Sequence, residues 1–270
     1  MHEEIIISDW KEIEALEVNF PLEVFRGQSD ASWELSSSLN RFADGSDAGD
    51  DICNTEFWLL RTFRRRAKHY ISDLPDSDDI IGWLSLMQHY GTPTRLIDFS
   101  HSFYVACYFA LINATTDAAV WAIDPGWLLG EGHKVFGVKN TGLRDESEDR
   151  MYNEGNRFLR NALSTASQAS DLSENCEVSG VIPVEPFQFN KRLGSQQGLF
   201  CLPLDISKSF EANLENYEKA EYEKFNKIII KYEIKETVLA YLREMNITAE
   251  TLFPGIEGFA KSITHKVWCR

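Results

Sequence analysis

Three short segments of this 270-residue chain carry side chains that packing alone explains poorly. In Phe25-Arg26-Gly27-Gln28 an arginine closes an apolar run and a glycine follows it. Such an arginine offers a planar fork of N–H donors to an anion or to a core carboxylate, and the glycine lets backbone approach a ligand closely. The second segment is Gln88-His89-Tyr90-Gly91-Thr92-Pro93-Thr94-Arg95-Leu96-Ile97-Asp98-Phe99-Ser100. On a strand, Thr94, Leu96, Asp98 and Ser100 share one face, while Arg95, Ile97 and Phe99 share the other. An arginine and an aspartate in so apolar a strand are costly unless paired or used, and a charged Arg95–Asp98 brace is the expected pairing. The third is Arg192-Leu193-Gly194-Ser195-Gln196-Gln197-Gly198-Leu199-Phe200, where Gln197 either points an amide into a cleft or belongs to a plain turn.

Other chemistries lack their residues. The chain has no G-x-x-x-x-G-K-[ST], G-x-G-x-x-G, H-E-x-x-H or G-x-S-x-G. Its six histidines make no metal-ligand spacing with its five cysteines, which form no C-x-x-C and read as reduced thiols of a cytoplasmic protein. No metal is expected. The net charge of −15 argues against wrapping duplex DNA, though a local basic groove stays open. Arg61, Arg64, Arg65, Arg66 and Lys68 form such a cluster on one helix, interleaved with Phe57, Trp58 and Phe63. In so acidic a chain the expectation is that they pair with the protein's own carboxylates. The longest strongly apolar run, residues 104–112, is far short of the roughly 20 needed to span a bilayer, so no membrane partner is expected. The N-terminus has no basic region of a signal peptide.

The elements that must position these residues alternate between helix and strand. Ser8 or Asp9 caps a helix toward Glu17, with Trp10, Ile13 and Leu16 at helical spacing. Residues 22–26 read as a strand and 32–35 as its short partner. Residues 54–71 form a long helix, and Asp78 or Asp79 caps another that stops at Gly91. Residues 92–99 read as a strand and 102–113 as a helix apolar almost all round, hence buried. Further strands are expected at 118–123, 180–184, 198–202 and 227–234, and helices at 236–245 and 257–264. The acidic stretches 44–51, 73–79 and 144–150 read as solvated loops, and 164–179 as a mobile insertion over a site. This pattern favours an α+β fold.

In this order the motifs resemble the FRG-domain family, named for a Phe/Tyr-Arg-Gly motif. Phe25-Arg26-Gly27-Gln28-Ser29 with Trp33-Glu34-Leu35 and Ser38-Leu39-Asn40-Arg41 is similar to its opening. Phe63-Arg64-Arg65-Arg66-Ala67 follows, then Gln88-His89-Tyr90-Gly91, Pro93-Thr94-Arg95-Leu96 and Asp98-Phe99 with Ala106 and Tyr108-Phe109-Ala110. Gln196-Gln197-Gly198 and Leu252-Phe253-Pro254-Gly255 resemble its closing motifs. The resemblance covers about residues 8–265 and implies one domain over residues 1–270.

The chain also resembles, more distantly, the ADP-ribosyltransferase superfamily. There a strand arginine or histidine, a hydroxyl-bearing strand running into a helix, and a late strand with a glutamate bind and cleave NAD. That resemblance implies a single α+β domain with a split, mixed central sheet surrounded by helices, and NAD as substrate. Cleavage of the nicotinamide–ribose bond passes through an oxocarbenium-like state, so binding and orientation carry the reaction. Arg26, His89 and Gln197 are the implied catalytic residues, and Arg26, Gly27, Gln28, Tyr90, Thr94, Ser100, Tyr104 and Gln196 the implied nucleotide contacts. Arg95 and Asp98 support them, and Arg26, His89, Arg95, Asp98 and Gln197 are expected to converge on one cleft. The late glutamate is here a glutamine, Gln197 (or Gln196). The implied role is a bacterial cytoplasmic enzyme that transfers ADP-ribose to a protein or nucleic-acid acceptor or hydrolyses NAD, as a toxin or phage-defence effector. The alternative is a non-catalytic nucleotide- or protein-binding module using the same cleft.

Overall fold

Seven short apolar segments supply the strands: β1 (Glu3–Ile7), β2 (Val24–Gln28), β3 (Ile97–Ser100), β4 (Ala118–Ile123), β5 (Val181–Val184), β6 (Gly198–Pro203) and β7 (Phe225–Ile230). In the computed structural model, which describes residues 2–20, 22–45, 51–138, 144–166, 178–186, 191–218 and 224–268, they form one sheet in the order β1-β7-β4-β2-β3-β6-β5. β1 and β7 are parallel and every other neighbouring pair is antiparallel. The α+β class and the mixed sheet are as expected. The sheet is continuous rather than split, yet one seam is thin: β2 and β3 pair only at Phe25–Ser100.

The helices are α1 (Trp10–Asn19), α2 (Ser38–Asp44), α3 (Ile52–Ala67), α4 (Ile80–His89), α5 (Phe103–Leu111) and α6 (Pro125–Phe136). After them come α7 (Arg144–Ala166), α8 (Lys191–Ser195), α9 (Phe210–Asn213), α10 (Lys235–Glu244), α11 (Ala249–Leu252) and α12 (Ile256–Trp268). One face of the sheet carries two cores. α1, α5 and α10 cover Phe25, Val120, Ala122, Ile228 and Ile230, whereas α3, α4 and α7 cover Ile182, Val184, Phe200 and Leu202. On the opposite face Val24, Phe99, Trp121, Leu199 and Cys201 pack with Leu128 of α6 and Phe210 of α9. Among the described residues no helix is long and apolar enough to cross a membrane.

Local chemistry sets the ends of the site-bearing helices. Asp9 and Glu12 close a reciprocal capping box on α1. The Asp79 carboxylate accepts from the Gly82 amide to start α4, and Gly91, at φ +82°, lets the chain leave it. α5 lies so close to β2 that a Cβ on Gly27 would sit 2.1 Å from the Ala106 carbonyl oxygen.

Several expected elements differ. Residues 92–96 belong to no strand and bend at Arg95, and β3 begins only at Ile97. Pro93 has no N–H, and the Thr94 backbone is taken by α2: Leu39 N and Ser38 Oγ donate to its carbonyl, and its own N–H donates to Ser38 Oγ. The short partner expected at 32–35 is turn and coil, and the last strand stops at Ile230 before a 3-10 turn at Tyr232–Ile234. Residues 144–150 belong to the start of α7 rather than to a loop, because that helix seats Met151, Tyr152 and Leu159 in the core. β1, α6 and α7 were not legible in the sequence pattern. Of the insertion expected at 164–179, residues 167–177 lie outside the described ones.

Because the space above Gly27 is filled by α5 backbone, Gly27→Ala should destabilise the protein by about 3 kcal/mol. A thermal melt showing an unchanged midpoint would contradict this packing.

Candidate functional site

β2 divides the first motif between two environments. Phe25 points into the α5 core, its ring 5.2 Å from Phe103, and Gly27 admits α5 on the same face. Alternation sends Val24, Arg26 and Gln28 to the other face. Gln28 is consumed there: its amide donates to the Glu34 carbonyl at 3.0 Å and its Oε1 accepts from Trp121 Nε1 at 2.5 Å.

Arg26 sits at the β2–β3 seam. Its Nη1 donates to the Asp98 carbonyl oxygen at 2.7 Å and lies 3.7 Å from the Asp98 carboxylate. Continuing the Phe25–Ser100 register would set Gly27 opposite Asp98, but the strands part before that pair forms. The guanidinium thus fills the place of a missing ladder bond. Its Nε is buried with no hydrogen-bond partner. Burial pulls the Arg26 pKa down from its ordinary value, and the Asp98 carboxylate opposes that shift.

Arg95 has a different partner from the one expected. Its Nε donates to Glu56 Oε1 at 2.7 Å and its Nη2 to Glu56 Oε2, with both side chains buried. Nη1 adds the carbonyls of Leu204 at 2.9 Å and Pro203 at 3.3 Å. The expected Arg95–Asp98 brace is absent because the Arg95 guanidinium is taken up by Glu56 and the Pro203 and Leu204 carbonyls, while the Asp98 carboxylate lies beside Arg26. Asp98 is exposed and faces Arg26 instead. Glu56 escaped the sequence reading, although its place four residues before Leu60 puts it on the inward stripe of α3.

At the other end of β3 the chain forms a hydrogen-bonded group. Ser100 Oγ donates to the Gln196 carbonyl at 2.7 Å and accepts from the Ser102 amide at 3.0 Å. The Gln196 side chain donates to the Leu252 carbonyl at 3.0 Å. The Gln197 carbonyl accepts from the His101 amide at 2.8 Å, and its backbone has a positive φ of 48°. Its side chain is exposed. Thr94 is buried, its hydroxyl donating to Gln88 Oε1, and Tyr104 stacks against Trp10 with ring centres 6.0 Å apart.

His89 and Tyr90 end α4, their rings edge-on at 4.8 Å. Burial lowers the His89 pKa; the charge of Arg192 lowers it further and that of Glu257 opposes. The structure therefore puts Arg26 and Asp98 in contact and sets Gln197 in the turn that opens β6, the next strand over. Arg95 pairs with Glu56 instead, and His89 lies at the end of α4 against Tyr90. Among the described residues no group of three or more His, Cys, Asp or Glu could hold a metal ion. A cavity of about 340 Å³ beside this end of the sheet is lined by His101, Glu185, Asp124 and Tyr152, with His101 Nε2 3.1 Å from Glu185.

The family model described as FRG domain matches residues 22–119, from the approach to β2 into β4. β6 and Gln197 lie beyond that stretch. No curated protein and no solved structure matches the chain.

Two outcomes follow from the buried pair and the histidine. Glu56→Ala strands the Arg95 charge in the core and should cost about 3–5 kcal/mol, whereas Asp98→Ala, at an exposed carboxylate, should scarcely move the melt. Equal shifts in the two variants would refute the pairing. The His89 pKa is lowered in the folded state, so below the ordinary value near 6.5 the unfolded chain binds a proton that the native one resists. That contribution therefore costs stability as the pH falls, and His89→Gln should lose less melting temperature than the parent between about pH 7.5 and 5.5.

Proposed function

We propose that this FRG-domain protein binds NAD or a related nucleotide at the β2–β3 seam and acts as an ADP-ribosyltransferase-like enzyme. The observation that carries this reading is the sheet order. Arg26 on β2, the Ser100 strand that runs into α5, and the Gln197 turn that opens β6 occupy three neighbouring strands. In sequence they are far apart: Arg26 and Asp98 are separated by 72 residues, and Ser100 and Gln196 by 96. Those are the three elements that the superfamily uses, in its order.

The chemistry suits the residues. Arg26 keeps a buried N–H without an acceptor beside a seam where backbone pairing stops, which favours an anionic pyrophosphate. The exposed Gln197 amide offers a hydrogen bond to a ribose hydroxyl. Ser100 acts indirectly, holding the Gln196-Gln197 turn against β3. Cys107 and Cys201 are buried free thiols, which accords with a cytoplasmic setting. A toxin or defence role against phage and a macromolecular acceptor rest on family analogy.

A second reading is favoured by one specific residue. Gln197 carries no charge, so it gives an oxocarbenium-like state less stabilisation than a glutamate would. Binding without turnover follows if that deficit dominates.

Calorimetric titration with NAD, together with chromatographic detection of free nicotinamide, tests both. Arg26→Lys replaces a planar fork with one ammonium and should weaken NAD binding at least about tenfold while the protein still melts cooperatively. Gln197→Glu should raise nicotinamide release if the chain is an enzyme. Saturable binding with no nicotinamide from either form supports the module, and unchanged NAD affinity in Arg26→Lys refutes the seam as the site.

A further inference from the structure

No carboxylate among the described residues neutralises the basic cluster of α3 and the turn after it. Among the described residues none of Arg61, Arg64, Arg65, Arg66 or Lys68 forms an ion pair, which overturns the expectation that they pair with the chain's own acidic surface. Arg64 donates to the Ser77 carbonyl at 2.7 Å and stacks on Trp83, and Arg61 lies over the exposed Trp58 ring at 5.0 Å. Arg65, Arg66 and Lys68 are exposed. No acidic residue occurs between Phe57 and Ser72. The acidic loop that follows turns toward α7, where Asp78 meets Arg160 at 3.5 Å.

Arg66 of this cluster lines a cavity of about 630 Å³ between α3 and the end of α4, and Arg65 and Lys68 lie beside it in the chain. Its wall includes Leu59, Phe63, Arg66, Tyr70, Tyr90 and Thr92. Leu59, Thr62, Phe63, Arg66 and Tyr70 fall on one helical stripe, so α3 and its C-terminal turn present a continuous wall. Tyr70 and Tyr90 are among the most exposed aromatic side chains in the protein, at 84% and 59%. An apolar, aromatic hollow with Arg66 on its wall and further exposed cations on the neighbouring helix surface matches a ligand that joins flat, unstacked rings to a run of negative charges.

We propose that this face binds single-stranded nucleic acid, with a base against Tyr70 and Tyr90 and phosphates along Arg65, Arg66 and Lys68. A duplex fits poorly because its bases are stacked and paired and cannot enter the hollow. Stacking on tyrosine is indifferent to base identity, so the site is sequence-tolerant. The inference stands apart from the nucleotide reading of the seam, since none of the residues just named lies on β2, β3 or β6.

Fluorescence anisotropy with a labelled oligodeoxythymidylate of about 12 nucleotides tests it on the full chain. Binding should be measurable at about 50 mM salt and weaken on a log–log slope of about −2 to −3, as three or four phosphate contacts require. Arg65→Glu with Arg66→Glu should lose at least about tenfold in affinity, and Tyr90→Ala at least about fivefold, with unchanged melting because all three side chains are exposed. Arg26→Lys should bind the oligonucleotide as the parent does, which separates failure here from failure at the seam. No binding at low salt, equal affinity for a duplex of the same length, or full displacement by polyglutamate at matched charge would overturn the proposal.

Discussion

The buried Glu56–Arg95 pair is the constraint on which the site-bearing half of the molecule depends. Taking two full charges out of water costs several kcal/mol per ion unless every donor and lone pair finds a partner. Here both carboxylate oxygens face the guanidinium, and the remaining Nη1 reaches the Pro203 and Leu204 carbonyls. One side chain therefore clamps α3, the segment entering β3, and the far end of β6. If α3 shifted, its basic face would lose its place beside Tyr90. If the segment shifted, β3 would lose its approach to the seam.

The seam gives the first motif a physical meaning letter by letter. Phe25 is a core residue, and Gly27 is the space that lets α5 lie against β2. Only Arg26 turns to the opposite side, where it takes a carbonyl that the departing strands leave without a ladder partner. A packing unit of two residues thus holds one cation at the thinnest joint of the sheet. Gln196 and Gln197 repeat that division of labour. Gln196 ties α8 to α11, and the positive φ at Gln197 accompanies a side chain left exposed.

Charge is distributed unevenly. A net −15 repels polyanions at long range, yet that repulsion is screened beyond about 8 Å at physiological ionic strength. Within that distance the local sign decides, and on α3 it is positive. The acidic majority then serves solubility and discourages indiscriminate binding elsewhere on the surface.

Much of the local structure was legible in the residues. Asp9 and Asp79 announced α1 and α4, the all-round apolar run announced a buried α5, and β4 and β6 stood out as short apolar segments between turns. These signals lie within one or two turns of chain, where capping, periodicity and side-chain size act directly. The motifs also marked Arg26 and Arg95 as residues with duties beyond simple burial. Their partners were decided elsewhere. Glu56 is 39 residues from Arg95, and β3 ended up between β2 and β6 through pairings that no local pattern encodes. The unpaired start of β3 depends on α2 taking the Thr94 backbone, and the open cations of α3 depend on where the acidic loop turned. The sequence by itself determined which groups had to be satisfied or left charged; only the tertiary structure decided which of them met, because burial and pairing energies depend on distance in space and not along the chain.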